Sequence, residues 1–199
     1  MMLQRIVSNL TDLDSLIEKA GTLIDEINDK YDFYFTSFDE TRSANSTITW
    51  TCLSTEVLQI FLKFEASLNI GYLDIYGPLS DHILVIEEEF IRSKLFENQE
   101  FFLKRAEDST ELSERVLVQL SFASVADWED ISVIEIIETA FKSKYPNIRR
   151  AASYGTLILV WEKTNQLNKE ALKNERNPDV RKFMEFVQEQ VSSAMPALE

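Results

Sequence analysis

Hydrophobic side chains in the first forty residues alternate at intervals of four and three positions. This is the a/d spacing of a heptad, which keeps one stripe of a helix facing a partner. The pattern predicts one long helix or two consecutive helices, since Gly21 and the capping signal at Thr11 and Asp12 are compatible with a break. The apolar positions are Ile6, Leu10, Leu13, Ile17, Ala20, Ile24, Ile27, Tyr31, Tyr34 and Phe38.

Acidic side chains follow the same register, each at the position just after a d residue. Seven helical residues rise about 10.5 Å, so we expect a ladder of carboxylates beside the apolar seam. The alternative is an ordinary solvated helix edge. The ladder consists of Glu18, Asp25, Asp32 and Asp39, and Asp29, four residues after Asp25, adds a further carboxylate to it.

Residues 31–52 have two interpretations. Tyr31, Phe33 and Phe35 alternate as in a strand, and residues 47–52 are rich in β-formers, which together allow a small β-hairpin with a polar loop over residues 39–46. Helix is favoured because Tyr31, Tyr34 and Phe38 continue the heptad without a slip.

The central part of the chain is predicted to be mostly helical. Residues 54–68 place Val57, Ile60, Phe61 and Phe64 on one side of a helix. Gly71 and Gly77 mark a turn region. Further helices are expected over residues 81–96 and 98–106.

Two segments of the C-terminal third align at an offset of 32 residues, beginning at Pro146 and Pro178. In each, proline opens a helix, where its missing N–H is harmless. A β-branched residue and an arginine follow, Ile148–Arg149 in the first segment and Val180–Arg181 in the second. Further helices are expected before them, over residues 132–144 and 168–173, and residues 114–117 are a possible third copy.

Two features of these segments suggest how their helices pack. The buried face of the first is small and includes Gly155, which predicts the close approach of a neighbouring helix. The arginines Arg149 and Arg181 are expected to bridge adjacent repeats by bonding carboxylates or carbonyls.

Over residues 109–193 the chain resembles HEAT-like helical repeats, on the strength of the two Pro–x–β-branched–Arg segments. The resemblance implies an α-solenoid of antiparallel helix pairs stacked side by side, with one surface available to a partner. The expected fold is therefore all-α. We expect a single domain, with acidic, heptad-patterned helices over residues 1–44 and the repeats over residues 109–193.

Composition adds a strong negative charge. The chain has 199 residues and a formal charge of −14. Residues 1–100 contain 18 acidic and 7 basic side chains, whereas residues 101–199 contain 16 and 13. Such a charge repels a nucleic-acid backbone and attracts a basic protein. With 4 Gly and 4 Pro, the composition also disfavours sandwiches and barrels, which need frequent turns.

The sequence contains no recognisable catalytic or metal-binding motif. One cysteine, Cys52, excludes an internal disulfide and fits a reducing compartment, and no apolar run reaches the length of a membrane span, so a cytoplasmic protein is expected. Cys52 and His82 cannot supply a standard zinc site, and glycine-rich phosphate loops are absent. Cys52 is expected to be buried. No catalytic, cofactor-binding or metal-binding residue is predicted.

A second acidic segment is predicted between two helices, at residues 127–130. Asp127 and Asp130 flank it, and Trp128 is either a plug for the loop or an exposed anchor for a partner.

These features favour a non-enzymatic protein-binding module. A small, acidic, single-domain chain is similar to immunity proteins, which would imply an inhibitor that neutralises a basic toxin, with a nuclease as the expected class. Two alternatives stay open. The basic residues near Arg149 and Arg181 permit a HEAT-like DNA glycosylase, and the heptad seam permits self-assembly. The expected partner-binding residues are Glu18, Asp25, Asp29, Asp32 and Asp39, with Tyr31, Tyr34 and Trp128 as possible anchors and Asp127 and Asp130 beside Trp128.

Overall fold

The computed structural model describes residues 2–41, 45–52, 58–78, 81–108, 112–126 and 129–194. These residues form six strands and eight helices, so the fold is mixed α/β and the all-α prediction is wrong. The chain divides into two compact units, Met1–Asn98 and Gln99–Glu199.

The N-terminal unit contains every strand of the described residues. The strands pair antiparallel into one sheet in the order β2-β3-β4-β5-β1-β6. Its elements are β1 (Met2–Ser8), α1 (Leu13–Tyr31), β2 (Phe35–Thr41), β3 (Asn45–Cys52), β4 (Gln59–Glu65), β5 (Ile70–Gly77), α2 (Asp81–Arg92) and β6 (Phe96–Glu97).

Strand β4 shows why the predicted helix over residues 54–68 is wrong. Burial alternates strictly along it, with Ile60, Leu62 and Phe64 buried and the residues between them half-exposed. A period of two is the period of a strand with one buried face. Residues 53–57 lie outside the described residues. The predicted turn region around Gly71 and Gly77 is strand β5.

Beyond Tyr31 the helix does not continue, and residues 35–41 and 45–52 are strands. Strands β2 and β3 pair antiparallel, with Phe35 opposite Cys52 and Thr41 opposite Thr47. The hairpin that the sequence left open is the correct interpretation, and it forms one edge of a larger sheet. Phe33 and Phe35 are buried, whereas Tyr34 between them is 60% exposed. Burial therefore alternates from residue to residue, as in a strand, although Tyr34 also fits the heptad spacing.

The heptad describes a helix only over α1. Helix α1 begins after Asp12, whose carboxylate accepts a 2.8 Å hydrogen bond from the Ser15 N–H. It ends at Tyr31, and the next residue, Asp32, caps it with a left-handed φ of 51°. Ile6 lies in β1, and Phe38 lies in β2. The prediction of helices throughout residues 1–44 is therefore wrong.

The core of the N-terminal unit lies between one face of the sheet and helices α1 and α2. Buried residues of α1, such as Leu16 and Ile24, and of α2, such as Ile86 and Phe90, form one cluster with the buried residues of the strands. Cys52 belongs to this cluster, so the prediction of a buried thiol is confirmed.

The C-terminal unit is helical in its described residues. Consecutive helices pack as the pairs α3–α4, α5–α6 and α7–α8, while α4, α6 and α8 also pack in a row, as do α3, α5 and α7. Its helices are α3 (Gln99–Glu107), α4 (Glu114–Ala123), α5 (Ile131–Phe141), α6 (Pro146–Leu159), α7 (Glu162–Asn174) and α8 (Pro178–Ala194).

The repeated segments begin helices where the sequence placed them. Pro146 is the first residue of α6 and Pro178 the first of α8. Gly155 is buried, and a Cβ atom there would lie 2.6 Å from the Ser121 Oγ of α4, so the predicted close approach of a neighbouring helix is confirmed. Stacked pairs are what a HEAT-like repeat implies, and membership of that family stays a prediction.

Candidate protein-binding surface

The exposed side of α1 is the strongest candidate surface among the predicted partner-binding residues. Leu16, Ala20, Ile24 and Ile27 anchor one side of the helix in the core. Because the sheet holds that side, the opposite side of α1 is turned to solvent along its whole length.

Acidic residues occupy this exposed side. Successive helix residues are about 100° apart, so four of the five acids of α1 fall within an arc of about 60°, and Glu26 lies about 60° beyond the edge of that arc. The two lysines of the helix, Lys19 and Lys30, project about 110–130° from the centre of that arc. We call this the acidic face: Asp14, Glu18, Asp25, Asp29 and, at the helix end, Asp32, all of them exposed.

Four carboxylates of the acidic face take part in no ion pair among the described residues: those of Glu18, Asp25, Asp29 and Asp32. Asp25 and Asp29 are four residues apart, where like charges repel one another on a helix. The acidic face is thus a surface whose electrostatic free energy a cationic partner would lower.

Helix α1 is fixed to α2 by a polar cluster at its C-terminal end. The Glu89 carboxylate on α2 accepts hydrogen bonds of 2.7 Å from the Lys30 ammonium, the Tyr31 hydroxyl and the Arg92 guanidinium. These hydrogen bonds, from Lys30 first and then Tyr31, hold the pKa of Glu89 below its usual range. Tyr31 is half-buried and bound here, so of the two predicted tyrosine anchors Tyr34 is the exposed one.

Asp39 does not continue the acidic ladder. The ladder required a helix through residue 39, but α1 ends eight residues earlier, at Tyr31, and Asp39 lies in β2 opposite Thr49. A β-bulge between Ser37 and Asp39 shifts the register just before it. The prediction that Asp39 shares a helix edge with Glu18 and Asp25 is wrong.

The second predicted acidic segment is only partly described. Asp127 and Trp128 lie outside the described residues. Asp130 is the N-cap of α5, where its Oδ1 accepts hydrogen bonds from the Ser132 and Val133 N–H groups, and its Oδ2 accepts one from Gln99 Nε2. These bonds give Asp130 a capping role in the C-terminal unit.

The structure also bears on the two alternative functions. The heptad seam that would mediate self-assembly faces the core within α1, where its residues Ala20, Ile24 and Ile27 are at most 2% exposed. The arginines that would contact nucleic acid are engaged within the C-terminal unit. Arg149 bonds the Glu175 carboxylate and the Ser143 carbonyl, and Arg181 bonds the Glu185 carboxylate and the Leu172 carbonyl.

Sequence reasoning missed a charged cluster on the sheet face opposite the helices. Asp74 of β5 is fully buried there and accepts hydrogen bonds from the Arg5 guanidinium of β1 and, at 2.8 Å, from the Lys63 ammonium of β4. Tyr72 lies under Arg5, with the guanidinium carbon 4.5 Å from the ring centroid. Burial raises the pKa of Tyr72, against the opposing effect of Arg5 and Lys63.

The alternation of polar residues in β4, Gln59–Glu65, was the available signal for this cluster, because it places Lys63 on the face opposite Ile60 and Leu62. His82, by contrast, is exposed and lies edge-on to Phe33, with ring centroids 5.2 Å apart.

Comparisons with protein families, with curated proteins and with solved structures give no match to this chain. Within the described residues, no helix combines the length and the apolar character needed to cross a membrane.

Proposed function

We propose that this chain is a non-enzymatic inhibitor of the immunity-protein type, which binds a basic toxin of the nuclease class through the acidic face of α1. The observation that supports the proposal most directly is the row of exposed carboxylates opposite the buried side of α1. A rigid helix, docked on a sheet and tied to α2 through Glu89, presents these charges in fixed positions.

The chemistry of such a partner follows from the charges. A nuclease active site is built to hold phosphates, so it gathers lysine and arginine side chains that carboxylates can pair with. A field of one sign also steers a basic protein toward the face, which raises the association rate more than the affinity. Asp32 and the 60% exposed Tyr34 extend the surface past the end of α1, and tyrosine is a frequent anchor at interfaces.

The test compares two triple variants of equal net charge. One reverses the acidic face with Glu18→Lys, Asp25→Lys and Asp29→Lys. The other reverses three exposed acids of the C-terminal unit with Glu135→Lys, Glu170→Lys and Glu189→Lys. Basic proteins captured from source cells by the wild type are identified, and their association rates with all three chains are measured by stopped flow.

We expect the acidic-face variant to associate about tenfold or more slowly than the wild type, and the control variant to stay close to it. Raising the salt concentration should slow the wild type toward the acidic-face variant, because the steering field is screened. A nuclease among the captured proteins should also lose its activity when the wild-type chain is added. Equal rates for the two variants, or rates that salt does not change, would remove the acidic face from this function.

A further inference from the structure

The face of the sheet opposite α1 and α2 holds a groove of about 460 Å³. The paired strands β3, β4 and β5 form its floor. In their register, Thr49 lies opposite Phe61, Thr47 opposite Lys63, and Gln59 opposite Tyr76. The volume falls within the range of small-ligand sites, roughly 300–1,000 Å³. The lining residues are Thr47, Thr49, Gln59, Phe61, Lys63 and Tyr76.

One end of the groove is cationic. Arg5 and Lys63 share the single buried carboxylate of Asp74, and Glu65, two residues after Lys63 on β4, acts on Tyr72 from nearby. Lys63 is 31% exposed, and among the described residues Asp74 is the one hydrogen-bond partner of its ammonium. An ammonium has three N–H donors, so Lys63 has donors left for an anion in the groove.

The buried carboxylate holds this cation in place. Asp74 fixes the Lys63 ammonium at 2.8 Å, while Arg5 bonds the same carboxylate from the far side. Burying an ionised group is costly unless it is paired and hydrogen-bonded, as Asp74 is. The arrangement thus supplies an oriented cation within a unit that is otherwise strongly acidic.

The wall beside Lys63 is aromatic. Phe61 and Tyr76 meet edge to face with ring centroids 5.3 Å apart, and the Lys63 ammonium is 5.6 Å from the Phe61 centroid. Aromatic rings prefer such edge-to-face or offset contacts, so the pair can accept a third ring. Thr47 and Thr49 add hydroxyl groups on the opposite side.

From this juxtaposition of an anchored ammonium and an aromatic wall, we propose that the groove binds a small aromatic carboxylate, with the carboxylate on Lys63 and the ring on Phe61 and Tyr76. The ammonium of Lys63, which lines the groove and bonds Asp74 with one of its three N–H donors, selects an anion over a cation. The site lies on the sheet, away from the acidic face, and does not depend on the inhibitor function.

The probe is indole-3-acetate, with the neutral indole-3-acetamide as its matched analogue, titrated into the full-length ¹⁵N-labelled protein and followed by amide chemical shifts. We expect saturable shifts at Thr47, Thr49, Phe61 and Lys63, with the acetamide binding about tenfold more weakly, because a charge-assisted hydrogen bond is lost. Equal affinities of the two compounds, shifts confined to other regions, or no shifts would overturn the proposal.

Variants test whether the Lys63 ammonium binds the carboxylate of the probe. Lys63→Gln should reduce indole-3-acetate binding to the level of the acetamide, whereas Lys19→Gln on the exposed surface of α1 should leave it unchanged. Phe61→Leu should weaken both compounds alike, because it removes the ring contact and keeps the charge. If Lys63→Gln fails to fold, the acetate–acetamide comparison on the wild type and the Phe61→Leu result still decide the proposal.

Discussion

At the scale of single residues, one ion pair joins two helix pairs of the C-terminal unit. Arg149 on α6 donates to both carboxylate oxygens of Glu175, at 2.6 and 2.8 Å, and Glu175 directly follows α7. The Glu175 side chain is 2% exposed, and the Asn177 N–H also donates to it. Of the two arginines expected to bridge repeats, Arg149 therefore does so through a carboxylate, whereas Arg181 bonds carbonyls and Glu185.

We predict that Glu175→Gln lowers the free energy of unfolding by about 2 kcal/mol at pH 7, less than for a fully buried pair because Arg149 is 17% exposed. Urea unfolding at constant m-value measures the change. The control is Glu185→Gln, which removes the exposed partner of Arg181 and should cost less than about 0.5 kcal/mol. Equal losses for the two variants would contradict the bridging role.

The pH dependence gives this prediction a second measurement. The hydrogen bonds from Arg149 hold the pKa of Glu175 below its usual range. Stability from a lowered pKa is present above the pKa of an unfolded glutamate, about 4.3, and is lost as the pH falls through the folded value. The difference between wild type and Glu175→Gln should therefore shrink toward pH 3. A difference that stays constant from pH 7 to pH 3 would contradict this assignment.

Single residues also explain how this sheet forms in a chain with few glycines. Glycine is the usual residue at positive φ. Here, among the described residues, Asp32, Asn69 and Lys94 take positive φ values of 51°, 51° and 60°, and no glycine does. Asn69 ends the turn between β4 and β5, so this turn needs no glycine at its positive-φ position.

At the scale of elements, what the sequence could predict depends on two periods of the apolar residues, about 3.6 for a helix and two for a strand. The helical period over α1 and the prolines that open α6 and α8 are local signals, and the structure has helices there. The sequence predicted helix where the structure has β2 and β4, because short apolar runs fit both the helical period and the strand period. Pairing with strands distant in sequence, which no local pattern records, decides between them.

The contact between α4 and α6 gives an element-scale prediction. Alanine has a higher helix propensity than glycine by about 1 kcal/mol, so Gly155→Ala would stabilise an isolated α6. In the folded protein, the added Cβ would lie 2.6 Å from Ser121 Oγ and 3.0 Å from Ile137 Cδ1. We therefore expect Gly155→Ala to lower the free energy of unfolding by about 1–3 kcal/mol, as overpacking does.

The companion variant Ser121→Ala tests the cause. It removes the Oγ atom and leaves Ser121 Cβ 3.6 Å from the added methyl group, an ordinary contact. The double variant should recover part of the loss, so the double-mutant cycle should show a favourable coupling of about 1 kcal/mol. Additive effects of the two substitutions, measured by urea unfolding, would rule out a steric clash between these atoms.

At the scale of the whole molecule, charge divides between the two units. Residues 1–98 contain 17 acidic and 7 basic side chains, and residues 99–199 contain 17 and 13. The acidic face was predictable because its members lie on one helix or directly after it, whereas Asp39, which the ladder also included, lies in β2. The cluster of Arg5, Lys63 and Asp74 was not, since its residues come from three strands and only the sheet register brings them together.

The single domain expected from chain length stays a prediction, and the two compact units suggest how to test it. The division falls between β6 and α3, and no element is cut there. A unit with its own core can fold without the rest of the chain. We therefore predict that fragments 1–98 and 99–199 each unfold cooperatively in urea, with the helical far-UV signal concentrated in fragment 99–199.

The matched control is a cut at residue 144, between α5 and α6, which separates helices that pack together. Fragment 145–199 keeps α6, α7 and α8 but loses α4 and α5, so the buried residues Ile148, Ala152 and Gly155 of α6 are left without their neighbours. We expect this fragment to show no cooperative transition, because too little apolar surface remains buried to offset the entropy of ordering three helices. If fragments 1–98 and 99–199 were as disordered as fragment 145–199 while the full chain folded, the two units would form one cooperative domain.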